Sequence, residues 1–468
     1  MRRTGILVLG TILLARAAVA GDKAPFQIPP AGTQQELQSG MDCPPASMLA
    51  FDSKNRPYLV NTRDPKRYGC VMILRKGTWV KRSFMPALKR AGYDLTPNYE
   101  NPRDLGTMTF DSDDGMYIIV PSPRKRGTGE SGEVEIDGDA VLLYSRDYGE
   151  AFKAYRLGAR PYLCTLETAN GGGTLDHPPA LIVGKALKYV RDVTVTVRGR
   201  KEKLRFCEFD RLSVIFPRTS GDGLTLPAPI VVTEKANGVT SHSGALNVAC
   251  GGDGRLYVAY IEVPDNLESG RNPLWVAEID RKNGTVLKKT HLLDVHPDES
   301  DCHSTPSMVI DSKGALHVVA GSHAWKPDMQ GFFYLHSVGK GIDNWTKPVS
   351  LGTMQTYVGL AIDTQDNLHL AYRHTPDLGY RRRDAKSGEW SEQAVIVRPP
   401  RRDTYTCYYH HVFVDRKGTV YLEFTFSDQK KKDYPHLLAV SADHGRHWGL
   451  ASTGMFEKNI LAATSPPR

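Results

Sequence analysis

Four side chains of acid–base and anion-binding type occupy matched places in two neighbouring stretches of this chain. In the first, His303 leads through Ser304-Thr305-Pro306-Ser307, Asp311 and Gly314 to His323. In the second, Tyr357 leads through Asp363 and Asn367 to Arg373. Each stretch reads as a strand, a tight turn and a returning strand, the latter at Ala315-Leu316-His317-Val318-Val319 and Leu368-His369-Leu370-Ala371-Tyr372. An antiparallel hairpin sets the start of its first strand beside the end of its second. The spacing therefore predicts His303 near His323 and Tyr357 near Arg373, and adjacent repeat units would gather all four at one mouth. Such a set suits proton abstraction next to a carboxylate. Arginine neutralises the carboxylate with a bidentate fork, a neutral histidine accepts the proton, and a tyrosine hydroxyl protonates a departing oxygen. On a uronic acid the sum is β-elimination across the glycosidic bond. The reverse assignment, with Tyr357 deprotonated beside Arg373 as the base, stays open.

A repeat must position these residues, and one is visible. Phe51-Asp52 leads to Pro57-Tyr58-Leu59-Val60 and Phe110-Asp111 to Met116-Tyr117-Ile118-Ile119; Leu256-Tyr257-Val258, Leu316-His317-Val318, Leu368-His369-Leu370 and Val420-Tyr421-Leu422 follow. Asp311, Asp363 and Asp415 are spaced evenly by 52 residues. Short strands and turn signals at this period predict an all-β, seven-bladed β-propeller with four-stranded antiparallel blades. The blades are expected at 46–85, 108–157, 177–227, 245–293, 303–351, 357–397 and 409–452. The third rests on His177-Pro178-Pro179-Ala180-Leu181-Ile182-Val183, which echoes the strand opening at His303. The segment 86–106 holds at most one short helical insertion.

The outer halves repeat as well. Ser145-Arg146-Asp147-Tyr148-Gly149-Glu150-Ala151-Phe152 and Ser441-Ala442-Asp443-His444-Gly445-Arg446-His447-Trp448 fit S-x-D-x-G-x-x-[WF], the Asp-box of sialidase-like repeat proteins. Physically this is a hairpin turn, in which Asp and Ser bond turn amides, Gly supplies the positive dihedral and the aromatic ring packs between sheets. It is a structural signature.

Met1-Arg2-Arg3, an apolar run from Ile6 to Leu14 and Ala18-Val19-Ala20 read as a signal peptide cut before Gly21. That run is too short to span a membrane. The expected division is a signal peptide at 1–20, an N-terminal extension at 21–45, the propeller at 46–452 and a tail at 453–468, secreted or periplasmic with no membrane anchor. The net charge of +8 falls to +5 without Arg2, Arg3 and Arg16, an excess compatible with an anionic substrate. Seven cysteines are scattered singly, without CxxC spacing, and read as buried thiols with at most one or two disulfides. Zinc bound by Cys302 and Cys407 with His410 or His411 is a weaker reading than separate side chains. Arg381-Arg382-Arg383, Arg401-Arg402 and Lys430-Lys431-Lys432 read as solvated surface. No nucleic-acid-binding module is recognisable.

In a propeller the starts of first strands and the ends of second strands surround one mouth. His303, His323 and Tyr357 are the expected catalytic residues there. Arg373, His242, Tyr409 and His410 are expected to bind substrate, with Glu262 and His411 flanking them. His317 and His369 stand at the Tyr/His position shared by all clear hairpins and read as repeat packing.

At these residues the chain resembles the seven-bladed propeller lyases that cleave ulvan, and the wider BNR-repeat proteins. The match is H-x-x-P-S-[MI]-V-I-D-x-x-G-x-L-H-V from His303, a second His twenty residues on, and Tyr357 and Arg373 sixteen residues apart. It is clearest over about 300–425. The resemblance implies proton transfer by His303, His323 and Tyr357, and neutralisation of a uronate carboxylate by Arg373. It implies an enzyme acting on an acidic, ulvan-like polysaccharide; a monomer with no cofactor required for the chemistry is the expectation. Some relatives hold a structural metal ion, zinc or calcium, for which no ligand cluster stands out in this sequence. Two other readings stay open: a non-catalytic glycan- or protein-binding propeller, and a sialidase-like glycoside hydrolase. The hydrolase would need an arginine triad and an early Arg-x-Pro motif, which Arg271-Asn272-Pro273 and Arg160-Pro161 imitate only superficially.

Overall fold

The computed structural model describes residues 41–461 except 62–68, 93–106, 122–124, 129–133, 138, 160, 186, 198, 210, 238–246, 270, 296–304, 322, 323, 325, 326, 328, 375, 399–406 and 427–435. Seven four-stranded antiparallel sheets follow one another along the chain as the blades of a propeller. Blade 1 is Met48–Phe51, Pro57–Val60, Cys70–Arg75 and Thr78–Ser83; blade 2 is Met108–Phe110, Met116–Pro121, Asp139–Ser145 and Lys153–Ala159. Blade 3 is Pro161–Leu166, Leu181–Lys185, Leu212–Ile215 and Ile230–Thr233; blade 4 is Val248–Cys250, Arg255–Glu262, Asn272–Asp280 and Thr285–Val295. Blade 5 is Ser307–Ile310, Leu316–Gly321, Phe332–His336 and Val349–Ser350; blade 6 is Thr356–Ile362, Leu368–His374, Asp377–Arg383 and Ala394–Val397. Blade 7 is Cys407–Val414, Val420–Phe426, His436–Ser441 and Gly449–Leu450.

One device turns the first strand into the second in five blades. The residue after the first strand is Asp52, Asp111, Asp311, Asp363 or Asp415. One carboxylate oxygen accepts turn amides, such as that of Asn367 at 2.9 Å for Asp363. The other takes a side chain six residues on: Tyr58 at 3.1 Å, Tyr117 at 2.7 Å, His317 at 3.5 Å, His369 at 3.1 Å and Tyr421 at 3.1 Å. At Asp52, Asp111, Asp363 and Asp415 ring and carboxylate are thus buried with these polar atoms hydrogen-bonded, as a core position requires. His317 and His369 are repeat packing, as their placement in the sequence suggests.

Blades 3 and 4 abandon the device. Blade 3 begins with Pro161–Leu166, upstream of the expected start at 177; His177 precedes its second strand instead. Glu167 holds the Asp position, and the connection from it runs to Ala180, whose amide bonds Glu167 at 2.8 Å. This connection lies across one end of the central channel. Asn170 bonds the Ile310 carbonyl at 2.5 Å, Leu175 pairs with Asp111, and Arg416 of blade 7 reaches Thr174 at 3.0 Å. Gly172 has a φ of +67° and passes so close to Val414 that a Cβ there would sit 2.5 Å from its carbonyl oxygen, so only glycine fits. A cavity of about 100 Å³ remains in the channel, lined in part by Leu49, Met108, Val309 and Val412. In blade 4, Gly251 replaces the Asp.

Blade 3 also carries a long hairpin, Leu187–Val197 with Arg200–Phe209, between its second and third strands. Ala236–Asn237 bridges this hairpin to the second strand of blade 4. The segment read as a C-terminal tail contains a helix, Thr453–Asn459, capped by Ser452, whose hydroxyl accepts from the Met455 amide. Phe456 on it stacks on Tyr421 of blade 7, with ring centroids 5.1 Å apart, and meets Trp79 of blade 1 edge-on at 5.7 Å. The helix therefore clasps the last blade to the first. A second short helix, Met85–Arg90, is the insertion expected in 86–106. No described helix is long and apolar enough to cross a membrane.

Candidate functional site

The mouth at the starts of the first strands is shaped by two bulges. In blade 6, Thr356 pairs with Arg373 and Gly359 with Ala371, so Tyr357-Val358 carries one residue more than its partner strand. In blade 7, Tyr408 pairs with Thr425 and His411 with Glu423, so Tyr409-His410 does the same. Bulges re-aim side chains and concentrate beside functional sites. Tyr357 has a φ of 60°, a left-handed conformation that a bulky residue adopts only when its surroundings impose it.

The hairpin register brings Tyr357 and Arg373 together as the spacing predicts. The Arg373 guanidinium carbon lies 4.4 Å from the Tyr357 ring centroid, within cation–π range. Arg373 Nε donates to Thr356 Oγ1 at 2.9 Å. Both residues are almost withdrawn from water, Arg373 1% exposed and Tyr357 4%. An arginine held this way is desolvated and fixed in direction, the condition under which its attraction for a carboxylate is strongest. The adjoining His374 Nδ1 donates to the Met354 carbonyl at 3.1 Å, tying the loop that leads into Tyr357.

His410 requires a correction. It is fully buried, and its Nε2 donates to the Ala371 carbonyl of blade 6 at 3.2 Å. It pins blade 7 to blade 6 and offers no surface to a substrate. Beside it lies an arrangement that sequence reasoning missed. Glu423, fully buried, accepts from His411 Nδ1 at 2.8 Å and from His436 Nδ1 at 2.5 Å. The available signal was a glutamate within the otherwise apolar strand Val420-Tyr421-Leu422-Glu423-Phe424, which only a buried partner can satisfy. In blade 4, Glu262 accepts from Thr233 Oγ1 at 2.5 Å. His303, His323 and His242 lie outside the described residues, as do Cys302 and the side chains of Tyr409 and Cys407, so the zinc reading at Cys302 and Cys407 is not addressed by the structure.

The Asp-boxes lie at the other end of the blades. Ser145 and Ser441 bond Asp147 and Asp443 at 2.7 and 2.8 Å and accept the amides of Gly149 and Gly445 at 2.9 and 2.8 Å. Phe152 and Trp448 are buried beneath them. His444 of the second box reaches Asp363, the turn residue of blade 6, at 2.8 Å. These motifs therefore turn strands on the face opposite Tyr357 and Arg373. Ligand-type side chains also meet on that opposite face, where Glu167, His177 and Cys250 converge. Among the described cysteines, Cys43 and Cys250 are free thiols.

Residues 255–462 match the model of a BNR repeat-containing family. No curated protein matches the chain in sequence. Among solved structures, an ulvan lyase of the PL25 polysaccharide lyase family is similar at 12% identity and a TM-score of 0.48, over 90% of this chain and 99% of its own. An α-L-arabinanase of Penicillium chrysogenum is similar at 10% identity and a TM-score of 0.39, over 74% and 94%. A sialidase of Trypanosoma rangeli is similar at 10% identity and a TM-score of 0.41, over 80% and 57%.

Proposed function

We propose that this protein is a secreted polysaccharide lyase that cleaves a uronate-containing, acidic polysaccharide by β-elimination. The observation that carries the reading is the Tyr357–Arg373 pair: a desolvated guanidinium under a tyrosine ring, at a strained bulge on the propeller mouth. In this reading Arg373 neutralises the uronate carboxylate, which acidifies the C5 proton. By the hairpin rule His303 and His323, outside the described residues, are expected at the same mouth, and in this reading they move the protons with Tyr357. The assignment of base and acid among these three stays open. Tyr409 and His242 contribute substrate contacts. The hairpin Leu187–Val197/Arg200–Phe209 leaves its blade at the same end as Arg373, and its sequence is rich in Lys and Arg, which suits an anionic polymer.

One observation favours a second reading. The near-complete burial of Arg373 and Tyr357 also fits a binding propeller in which the pair is structural. The sialidase-like reading loses its prompt, because the Asp-boxes serve turns on the opposite face, and Arg271 reaches Asp294 at 3.5 Å beside the buried Asn272. The deciding experiment incubates the purified chain with a panel of acidic polysaccharides and follows ultraviolet absorbance. Elimination leaves a double bond conjugated to the carboxylate in each new non-reducing end. A hydrolase makes new ends without that absorbance, and a binding protein makes no new ends. Sequencing the N-terminus of exported protein tests secretion, with Gly21 expected first.

A further inference from the structure

From the face opposite Tyr357 and Arg373, we infer a second, independent site that binds one zinc-class divalent cation through Glu167, His177 and Cys250. The five blades that keep the turn Asp use it to bond their own Tyr or His. The two neighbouring blades that lack it, 3 and 4, instead bring a carboxylate, an imidazole and a thiol together. One ligand atom from each lies within 4.8 Å of the others, and His177 Nε2 is 2.9 Å from Glu167 Oε1. Tetrahedral zinc, with bonds of roughly 2.0–2.3 Å, holds its ligand atoms about 3.3–3.8 Å apart. The three therefore close on a cation with shifts of about an ångström.

The surroundings match what such a ligand set needs. His177 Nδ1 bonds the Asp176 carboxylate, the partner that fixes a metal-ligating imidazole and leaves Nε2 for the ion. Glu167 is fully buried; its second oxygen takes the Ala180 amide at 2.8 Å and the Arg281 guanidinium, so Oε1 is directed at the site. Glu167, Asp176 and a Cys250 thiolate carry three negative charges, and Arg281 with a divalent cation carries three positive ones. The loaded site is neutral, and binding expels the Cys250 proton. His177 and Cys250 are only partly buried, which leaves an entry path and a fourth position for water.

The test titrates cobalt(II) into the chelator-treated full chain, because cobalt takes zinc sites and reports them by absorbance. A thiolate-to-cobalt charge-transfer band should grow to an end point near one cobalt per chain, and zinc should displace it. Cys250→Ser should abolish the band and His177→Ala should weaken binding at least tenfold, while Cys302→Ser and Cys407→Ser leave the band in place. If Cys250→Ser does not fold, alkylation of the wild-type chain decides: zinc should protect Cys250 as read by mass spectrometry. No band, a band that survives Cys250→Ser, or unprotected Cys250 overturns the inference. None of these readouts involves a polysaccharide, so they stand apart from the lyase assay.

Discussion

Arg373→Lys separates charge from geometry at the proposed site. Arg373 donates from Nε to Thr356 at 2.9 Å and lies 4.4 Å from the Tyr357 ring centre. Lysine keeps the charge but has no donor at the Nε position and no planar face. A buried hydrogen bond from a charged group is worth about 1.5–3 kcal/mol and a desolvated cation–π contact up to about 2 kcal/mol. Lysine recovers part of the latter, so the folding loss should be about 2–4 kcal/mol, which a typical domain stability of roughly 5–15 kcal/mol can absorb. If the same guanidinium also grips a uronate with two N–H groups in the transition state, losing one of those bonds costs a further ~1.5–3 kcal/mol. At 1.36 kcal/mol per decade that is a fall of about 10- to 150-fold in kcat/KM. Thr356→Val supplies the control, since it breaks the same internal bond at a fully buried position but leaves the fork intact. Urea midpoints measure the first cost and initial rates of double-bond formation the second. Should Arg373→Lys lose rate only in proportion to its folded fraction, or Thr356→Val lose as much rate as Arg373→Lys, the guanidinium is structural and the proposed neutralising role is wrong.

Tyr357→Phe keeps the ring over Arg373 and removes only the hydroxyl, so it should unfold close to wild type while kcat falls by about 100-fold or more, the size of a missing acid–base group; full activity in folded protein would remove Tyr357 from the chemistry. Acid should destabilise the fold in two steps. Burial lowers the pKa of His369 and outweighs the opposing pull of Asp363, so the unfolded chain takes up a proton below about pH 6.5 that the native ring refuses, and stability falls by up to ~1.4 kcal/mol per pH unit. For Asp363, burial acts to raise the pKa, but the hydrogen bonds it accepts from His369, Asn367 and the Gln365 amide prevail and hold it below the usual range, so its contribution is present above about pH 4 and lost beneath. His369→Gln should flatten the first step in urea titrations at pH 5–7, and an unchanged slope would exclude His369 as its source. Phe456→Ala should cost about 3–5 kcal/mol, because it removes a buried ring between Tyr421 and Trp79; a shift of the urea midpoint below a third of that would show that the helix does not clasp the ring.

Blade recognition succeeded where one physical device repeats. An Asp that serves its own turn and a Tyr or His six residues later leave a spacing that survives any drift in the apolar positions between them, as Asp52–Tyr58 and Asp415–Tyr421 illustrate. Blade 3 was displaced because that marker is absent. Glu167 takes the Asp place, its connection is long enough to cross the channel, and His177-Pro178-Pro179 imitates a first-strand opening while standing before a second strand. The helix Thr453–Asn459 is too short to show a 3.6-residue period, although Ser452 ahead of it is the usual capping signal.

The site was legible to the extent that hairpin register alone defines it. A separation of sixteen positions between Tyr357 and Arg373 suffices to predict their meeting, and Thr356, one residue away, is the actual ladder partner of Arg373. The one-residue offset is the bulge, and it is invisible in sequence because nothing about Tyr-Val demands a positive φ. Packing around the mouth imposes it. His410 shows the same limit from the other side. Its spacing placed it at the mouth, yet a bulge of one residue moves a side chain from one face of a strand to the other. Register thus finds which backbones meet, whereas bulges decide which side chains a ligand can touch, and in blades 6 and 7 both bulges fall within two residues of a proposed substrate contact. Tyr409 lies inside the second. If the bulges serve the site, deleting Val358 should restore regular pairing with Arg373, relieve the strain at Tyr357 and leave a folded chain with at least 100-fold less lyase activity. Retained activity in that variant would mean that the bulge serves folding alone.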